Sequence, residues 1–142
     1  MRDDILISAG SWGDLGEVCR DIRCKVFVEE QGVDVHEELD ALDPDCIHFL
    51  LYYRQTACGT ARLLPDGHIG RVAILSSHRG LGLGAALMRE IINVARQQKF
   101  QYCVLSAQTH ALGFYERLGF VARGPEYMDA GIPHREMSLA LV

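Results

Sequence analysis

The fold of this chain is decided by the stretch Gly70-Arg71-Val72-Ala73-Ile74-Leu75-Ser76-Ser77-His78-Arg79-Gly80-Leu81-Gly82-Leu83-Gly84. It begins with the composition of a β-strand and ends in alternating glycines, after which an apolar stripe indicates a long helix. Glycines let successive backbone N–H groups converge, and the partial positive charge of a helix start attracts an anion. This strand–turn–helix unit predicts a pyrophosphate site, and a glycine-rich turn without a ligand is the alternative.

The spacing of the turn separates it from two common phosphate motifs. The chain has no GxxxxGK[ST], and its glycines do not form GxGxxG with an acidic residue on a following parallel strand. Arg79, Gly82 and Gly84 instead follow RxxGxG, which resembles the acyl-CoA pyrophosphate motif of the GNAT superfamily. The resemblance implies an acetyltransferase that moves the acetyl group of acetyl-CoA to a small acceptor. A primary amine attacking directly in a ternary complex is the favoured reaction.

Four further segments carry the resemblance along nearly the whole chain. The run from Ala111 to Phe120 is similar to the family's AxxFYxxLGF helix. The N-terminal patterns RxxVFxxEQ, from Arg23 to Gln31, and ExDxxD, from Glu38 to Asp43, resemble the small bacterial ElaA/YjcF-like branch. The segment from Gly131 to Met137 strengthens that assignment.

The resemblance also implies which residues hold acetyl-CoA. Gln108 stands where many members have Asn and keeps an amide, and Tyr115 would face the sulfur as the general acid. Many members place a catalytic carboxylate on the strand before the glycine turn, but His68 to Leu75 contains none, so the general base stays unassigned. The implied cofactor-binding residues are Val72, Ala73, Ile74, Arg79, Gly80, Leu81, Gly82, Leu83, Gly84, Ala85 and Gln108.

An acidic segment marks the candidate acceptor side. Glu37, Glu38, Asp40 and Asp43 predict either a wall attracting a cationic amine or a solvated loop, since charge runs usually face water. Arg23 or Arg62 could organise these carboxylates by a bidentate contact.

Other acceptor-side candidates come from the histidines and from the glycine stretch. The second place for an acceptor pocket is around His68, Arg71 and His134, and both histidines are candidate bases. Cys103 lies in an apolar run and is interpreted as structural rather than as an acetylated intermediate. No His or Cys spacing indicates a metal.

The apolar pattern predicts an α+β or three-layer α/β domain. The resemblance implies the GNAT-like acyl-CoA N-acyltransferase fold, a three-layer α/β/α domain with a mixed, mostly antiparallel sheet flanked by helices. Three strands form a meander with turns at Arg54-Gln55 and Pro65-Asp66-Gly67, and Gly119 ends a short helix. The segment Val33 to Asp45 is expected to be irregular. Predicted strands are Ile5–Ser8, Ile47–Tyr53, Ala57–Leu64, His68–Leu75, Tyr102–Ala107, the run from Phe120, and His134–Leu141; predicted helices start at Asp14, near Leu83 and at Ala111.

Composition limits the function classes. The chain has 142 residues and a formal charge of −5, which suits one N-acetyltransferase domain over residues 1–142 and opposes binding to nucleic acid or an anionic membrane. Five cysteines without a CxxC pair, and no signal-like start, predict a cytoplasmic protein. A homodimer remains open. The alternatives are an acyl-CoA-binding sensor without turnover, an acyl-homoserine-lactone-synthase-like acyltransferase, and an interaction domain.

Overall fold

A computed structural model describes residues 4–142, apart from the side chain of Glu37, which lies outside the described part. The strands are β1 (Ile5–Gly10), β2 (Ile47–Tyr53), β3 (Thr56–Leu63), β4 (His68–Ile74), β5 (Tyr102–Gln108), β6 (Val121–Asp129) and β7 (Ile132–Ala140). The helices are α1 (Trp12–Arg23), α2 (Val35–Glu38), α3 (Leu83–Gln97) and α4 (Leu112–Arg117). A π-helical segment, Cys24–Glu30, continues α1, and 3₁₀ turns occupy Asp43–Asp45, Ser76–His78 and Thr109–Ala111.

The seven strands form one sheet in the order β1-β2-β3-β4-β5-β7-β6. Neighbouring strands are antiparallel except β4 and β5, which run parallel because α3 crosses over between them. The mixed, mostly antiparallel sheet predicted from the sequence is therefore confirmed.

Helices cover both faces of this sheet. On β2, Phe49 and Leu51 belong to the apolar cluster that contains α3, whereas Leu50 between them belongs to the cluster that contains Cys19 and Ile22 of α1. Successive side chains of a strand point to opposite faces, so α1 and α3 lie on opposite sides of the sheet. This arrangement confirms the predicted three-layer α/β/α architecture.

The predicted strands are all present with bounds within two residues of those observed, and two other differences lie before the meander. The meander strands agree to within one residue at each end, and Gly119 has the positive φ of 101° expected after a helix. The N-cap of the first helix is Ser11 rather than the predicted Asp14: the helix begins at Trp12, and Ser11 Oγ accepts a hydrogen bond from Asp14 N at 3.2 Å. The segment predicted as irregular contains α2, which begins after Asp34, whose side chain accepts from His36 N at 2.8 Å.

A cluster of three arginines and three carboxylates is held between α1, α2 and the sheet, and we call it the arginine–carboxylate network. Asp43 lies at its centre: it accepts bonds from Arg23 at 2.9 and 3.1 Å and from Arg62 at 2.9 Å. Arg62 also forms a fork with Asp40, with both bonds at 2.8 Å. The network consists of Arg23, Arg62, Arg71, Glu38, Asp40 and Asp43.

Burial sets the energetics of this network. The side chains of Arg23, Arg62, Glu38 and Asp43 are all at least 95% buried. Burial raises the pKa of Asp43, but hydrogen bonds from Arg23 and Arg62 outweigh that effect and hold it below its ordinary value. Arg23 forms a forked contact with Asp43, and Arg62 forms one with Asp40, as predicted for an organising arginine. The acidic segment is therefore not simply a solvated loop.

We predict that Asp43→Asn lowers the free energy of unfolding by about 3 kcal/mol, because two buried guanidinium groups lose a shared counter-charge. Asp66→Asn is the matched control: Asp66 is 62% exposed and pairs with half-exposed His68, so its loss should cost less than about 1 kcal/mol. Urea unfolding of both variants measures the difference. Equal losses would show that the network contributes no more than a surface ion pair.

Acid should weaken the fold through Asp40. Hydrogen bonds from Arg62 lower the pKa of Asp40 from 3.8 to about 2. Because the unfolded chain takes up this proton at a higher pH, the stabilisation is complete above 3.8 and is lost as the pH falls towards about 2. Because solvent screens this partly exposed carboxylate, the stabilisation is on the order of 1 kcal/mol. Asp40→Asn should flatten this part of the stability–pH curve, whereas Asp21→Asn, an exposed change outside the network, should leave its slope intact.

Candidate active site

The central strands part shortly after they meet. Strands β4 and β5 pair at His68–Val104 and Ile69–Leu105, and the described residues beyond show no further pairing between them. A cleft of about 990 Å³ opens here, lined on one side by β4 from Ile69 to Ile74 and on the other by Leu105, Ser106 and Gln108 of β5. The separation leaves one edge of β4 without a strand partner, so its backbone can pair with an extended ligand.

The glycine turn forms one end of the cleft. Gly80 and Gly82 have φ of 82° and 77°, the left-handed region that glycine adopts without strain, and a Cβ built on either would meet nothing within 4 Å. Gly82 is also the N-cap of α3, and in the described part of the chain no side chain caps this helix. The first N–H groups of a 15-residue helix therefore meet open space at the cleft, as an anion site requires.

Arg79 lies beside this turn, and its guanidinium forms an ion pair with Glu30. Its Nη2 bonds Glu30 Oε1 at 2.7 Å, and its Nε donates to the carbonyl of Ile74 at 3.0 Å. The hydrogen bond to Glu30 raises the pKa of Arg79, and the same contact lowers that of Glu30. The guanidinium thus ties the glycine turn to the π-helical segment, and its contact with a pyrophosphate stays a prediction.

The β4 wall carries an irregularity at Arg71. The register with β3 shifts between Thr60 and Arg62, and Arg71 opposite this shift has a φ of 53°. Such a bulge bends the strand and re-aims its side chains. Val72, Ala73 and Ile74, the residues predicted to pair with the cofactor arm, follow the bulge and line the cleft.

Gln108 and Tyr115 stand on the opposite wall. The amide of Gln108 donates to Gln31 Oε1 at 3.0 Å and accepts from His110 Nε2 at 2.7 Å, so its longer side chain connects β5 to the end of the π-helical segment. Tyr115 of α4 packs edge-on against Phe114 and Phe120, with ring centroids 5.0 and 6.0 Å away, and lines the cleft. Burial raises the pKa of Tyr115 to about 12, which keeps the phenol protonated.

The predicted acceptor residues divide into two groups. Glu38, Arg71 and His134 line the cleft, whereas Arg23, Asp40 and Asp43 belong to the network behind it. Arg71 links the two groups: its Nη2 donates to the carbonyl of Glu38 at 2.9 Å and to Asp40 at 3.2 Å. Contact between the acceptor and Arg23, Asp40 or Asp43 stays a prediction, while their observed bonds position Glu38 and Arg71.

Sequence reasoning missed the part of the cleft formed by the β6–β7 turn. Asp129, Ala130 and Ile132 line it, and the turn passes through positive φ at Ala130 (52°) and Gly131 (77°). A hairpin could have been predicted from these small residues, since two-residue loops favour positive φ. Its approach to the cleft has no local sequence signal. Gln31 and Ser106 were likewise not assigned to the cleft.

Cysteine and metal chemistry have no support in this region. Cys103 is fully buried, and burial raises its pKa to about 11, so its thiolate is strongly disfavoured. Within residues 4–142 no group of His, Cys, Asp and Glu side chains could hold a metal ion. The helices described over the same range are all too short or too polar to cross a membrane.

Comparison with known proteins agrees with the geometry. Residues 19–141 match the model of the acetyltransferase (GNAT) domain. A candidate acetyltransferase of Bacillus subtilis (strain 168) is 41% identical over 120 residues, covering 80% of this chain and 82% of that protein. The uncharacterized N-acetyltransferase YjcF of the same organism is 36% identical over 120 residues, covering 82% and 86%.

Solved structures share the fold. An acyl-CoA N-acyltransferase from Pseudomonas aeruginosa superposes with a TM-score of 0.85 at 32% identity, covering 96% of this chain and 99% of that one. Escherichia coli ElaA gives 0.83 at 26% identity, covering 94% and 98%. Two more distant structures show the fold alone: an Elizabethkingia anophelis GNAT acetyltransferase with acetyl-CoA bound (0.72, 18%) and the acyl-homoserine lactone synthase BjaI with SAM and isopentyl-CoA (0.77, 17%).

The match to the family model and the identities to these relatives confirm the resemblance first seen in the RxxGxG turn. The protein belongs to the GNAT acetyltransferases, a family of acyltransferases, and to their ElaA/YjcF-like branch.

Proposed function

We propose that this protein is an acetyl-CoA-dependent N-acetyltransferase of one domain that acetylates a small primary amine by direct attack in a ternary complex. The observation that carries the proposal is the cleft between β4 and β5, which joins an unpaired strand edge to the uncapped start of α3. An extended arm ending in a pyrophosphate has this shape and chemistry. The distant neighbour that holds acetyl-CoA supports the choice of cosubstrate.

The residues present fit the cosubstrate at both of its polar parts. Backbone groups of Val72, Ala73 and Ile74 would hold the pantetheine amides, and N–H groups from Gly80 to Ala85 would hold the pyrophosphate. Acetyl-CoA supplies the activated acetyl thioester. The protein's task is therefore to align an amine with it, to remove the amine's proton and to stabilise the leaving thiolate.

Tyr115 is proposed to serve the leaving thiolate as a hydrogen-bond donor. A phenol with a pKa of about 12 is a weaker acid than a thiol of pKa about 8.5. Complete proton transfer from the phenol to the thiolate would cost on the order of 5 kcal/mol. A hydrogen bond from the phenol to the developing negative charge avoids this cost, because the proton stays on the phenol. The partly buried ring, packed against Phe114 and Phe120, holds that donor in place.

The acceptor is proposed to enter from the end formed by Glu38 and the β6–β7 turn. Glu38 is buried and bonded to Arg23, whereas Asp129 is exposed at the turn, so Asp129 is the carboxylate better placed to attract an ammonium ion. Three other functions compete with this one. They are an acyl-CoA sensor without turnover, an interaction domain with an empty cleft, and an acyl transfer like that of BjaI, whose SAM-bound structure shares the fold.

Thiol release separates these functions. The protein is incubated with acetyl-CoA and, in turn, ethanolamine, tyramine, putrescine and glycine, and free CoA is measured. Release that depends on an amine supports the transferase. Acetyl-CoA binding without release from any amine favours the sensor, and the absence of any thermal stabilisation by acetyl-CoA favours the interaction domain, since a ligand at 100 times its Kd should contribute about 2.7 kcal/mol.

We predict that Gly84→Asp weakens acetyl-CoA binding more than tenfold while the protein stays folded. Gly84 has ordinary helical φ, and an added Cβ lies 3.4 Å from Phe114 Cζ, a normal contact. An aspartate in the first turn favours the helix but repels a pyrophosphate. Gly13→Asp, in the first turn of α1, is the control. Calorimetric affinity equal to that of the native protein in folded Gly84→Asp would contradict the pyrophosphate assignment.

We predict that Tyr115→Phe lowers kcat by 10²-fold or more and leaves the affinity for acetyl-CoA nearly unchanged, because the ring still packs and only the donor is lost. Tyr102→Phe is the matched control, since Tyr102 is half-exposed on β5 and lies outside the cleft. Steady-state kinetics and calorimetry give the two quantities. A Tyr115→Phe variant as active as Tyr102→Phe would reduce Tyr115 to core packing.

A further inference from the structure

We propose that His134 is the general base of this protein, and that its Nε2 takes the proton from the acceptor amine. This inference rests on the proposed transferase function and deepens it. The strand before the glycine turn, β4, contains no carboxylate, and the family resemblance assigns no other general base. The tautomer of the ring, the contacts that hold it and its place in the cleft all favour this role.

The tautomer follows from one hydrogen bond. His134 Nδ1 lies 2.7 Å from the carbonyl oxygen of Ile132. A carbonyl only accepts, so Nδ1 carries the hydrogen and, in the neutral ring, Nε2 carries the lone pair. The described residues offer Nε2 no hydrogen-bond partner of its own, and His134 lines the cleft. Nε2 is therefore the ring nitrogen available to an acceptor.

The ring is held by its neighbour across the β6–β7 hairpin. Tyr127 stacks on His134 with centroids 6.2 Å apart and an interplanar angle of 24°, and the Tyr127 hydroxyl bonds Ser106 of β5. A general base fixed by a backbone bond on one side and by an anchored aromatic ring on the other meets the orientation requirement for proton transfer.

A bulge in β6 creates this stack. The register passes from Arg123–Glu136 to Tyr127–His134, so β6 carries two more residues than β7 in this interval. Without them Pro125 would lie across from His134. Arg135 secures the bulge by donating to the carbonyl of Gly124 at 2.9 and 3.1 Å. The irregularity therefore places the tyrosine where it can orient the imidazole.

The other histidines are less suited to the role. His68 pairs with Asp66 and lies outside the cleft, and His48 is buried with its Nε2 2.8 Å from the carbonyl of Asp43. His110 lines the cleft but uses its Nε2 on Gln108. His78 lies at the glycine turn, the cofactor end of the cleft. His134 is on β7 directly across from Gln108 of β5, towards the acceptor end.

The remaining titratable and charged groups that line this end are not available as bases. The carboxylate of Glu38 forms ion pairs with Arg23 and Arg71, so its oxygens are already engaged. Tyr115 from α4 keeps its proton, and Tyr127 from β6 uses its hydroxyl on Ser106. Asp129 is exposed at the β6–β7 turn, where it can attract an ammonium ion but is solvated.

The proton balance is simple. The bound ammonium ion gives one proton to His134 Nε2 and becomes a neutral amine. As its nitrogen forms the new N–C bond and the C–S bond breaks, the nitrogen loses a second proton. One of the two protons ends on the released thiol and the other leaves to solvent from His134. The sum is an ammonium ion and a thioester converted to an amide, a thiol and one proton.

The tautomer can be measured without turnover. Long-range ¹H–¹⁵N spectra of the ligand-free protein, with His134 assigned by comparison with His134→Gln, should show neutral His134 protonated at Nδ1. Neutral His134 protonated at Nε2 would overturn the inference, because the proposed base would then carry a hydrogen where it must accept one.

Turnover provides the second test. The substrate is whichever of the four amines named above the native protein acetylates. His134→Gln should lower kcat/KM by 10²-fold or more, remove the acidic limb of its pH dependence, and leave acetyl-CoA affinity unchanged. His68→Gln, the same change outside the cleft, should behave like the native protein, and imidazole should partly restore His134→Ala.

The base assignment and the transferase function are overturned by different results. If the native protein acetylates an amine and His134→Gln does so with the same rate and pH profile, the base assignment is overturned and the transferase function stands. If the native protein releases no CoA with any of the four amines, the proposed function is overturned together with the base.

Discussion

The rest of the site depends on the parting of β4 and β5. Two strands in one sheet normally pair along their length, because an unpaired backbone group away from water costs free energy. Here pairing stops after Ile69 and Leu105, and the backbone of β4 from Gly70 onward faces a cleft. The unpaired edge, the glycine turn at its end and the uncapped start of α3 are consecutive along the chain. One continuous stretch of chain thus carries the unpaired edge and the anion site that the proposed cosubstrate requires.

A parted sheet needs support from outside, and the arginine–carboxylate network supplies it on the acceptor side. Four of its six charged groups are buried, and their mutual pairing fixes the positions of Glu38 and Arg71. On the cofactor side, the ion pair between Arg79 and Glu30 ties the glycine turn to the π-helical segment. Ion pairs of both kinds therefore brace the cleft walls, one buried and one at the surface.

In the proposed mechanism, proton handling divides between the two sides of the cleft. Tyr115 is packed in aromatic surroundings that keep its phenol protonated, whereas His134 is held in the tautomer that leaves Nε2 able to accept. A donor for the leaving group and an acceptor for the nucleophile can then act at the same pH without exchanging roles. In an acyl-CoA sensor the same two residues would transfer no proton. Measurement of thiol release therefore distinguishes the transferase from the sensor.

The sequence alone determined the family and the layered fold, and it predicted a pyrophosphate site at the glycine turn. The RxxGxG turn, the meander and the helix ending at Gly119 are local features, set by glycine conformations and apolar periodicity within a few residues. The cofactor role of these residues and the roles of Tyr115 and Gln108 remain predictions. Only the tertiary structure decided that Arg23, Asp40 and Asp43 stand behind the cleft. It also brought the β6–β7 turn to the cleft and distinguished His134 from His68. These features depend on pairings between residues far apart in the chain, on a bulge in β6 and on burial, for which no local pattern carries a signal.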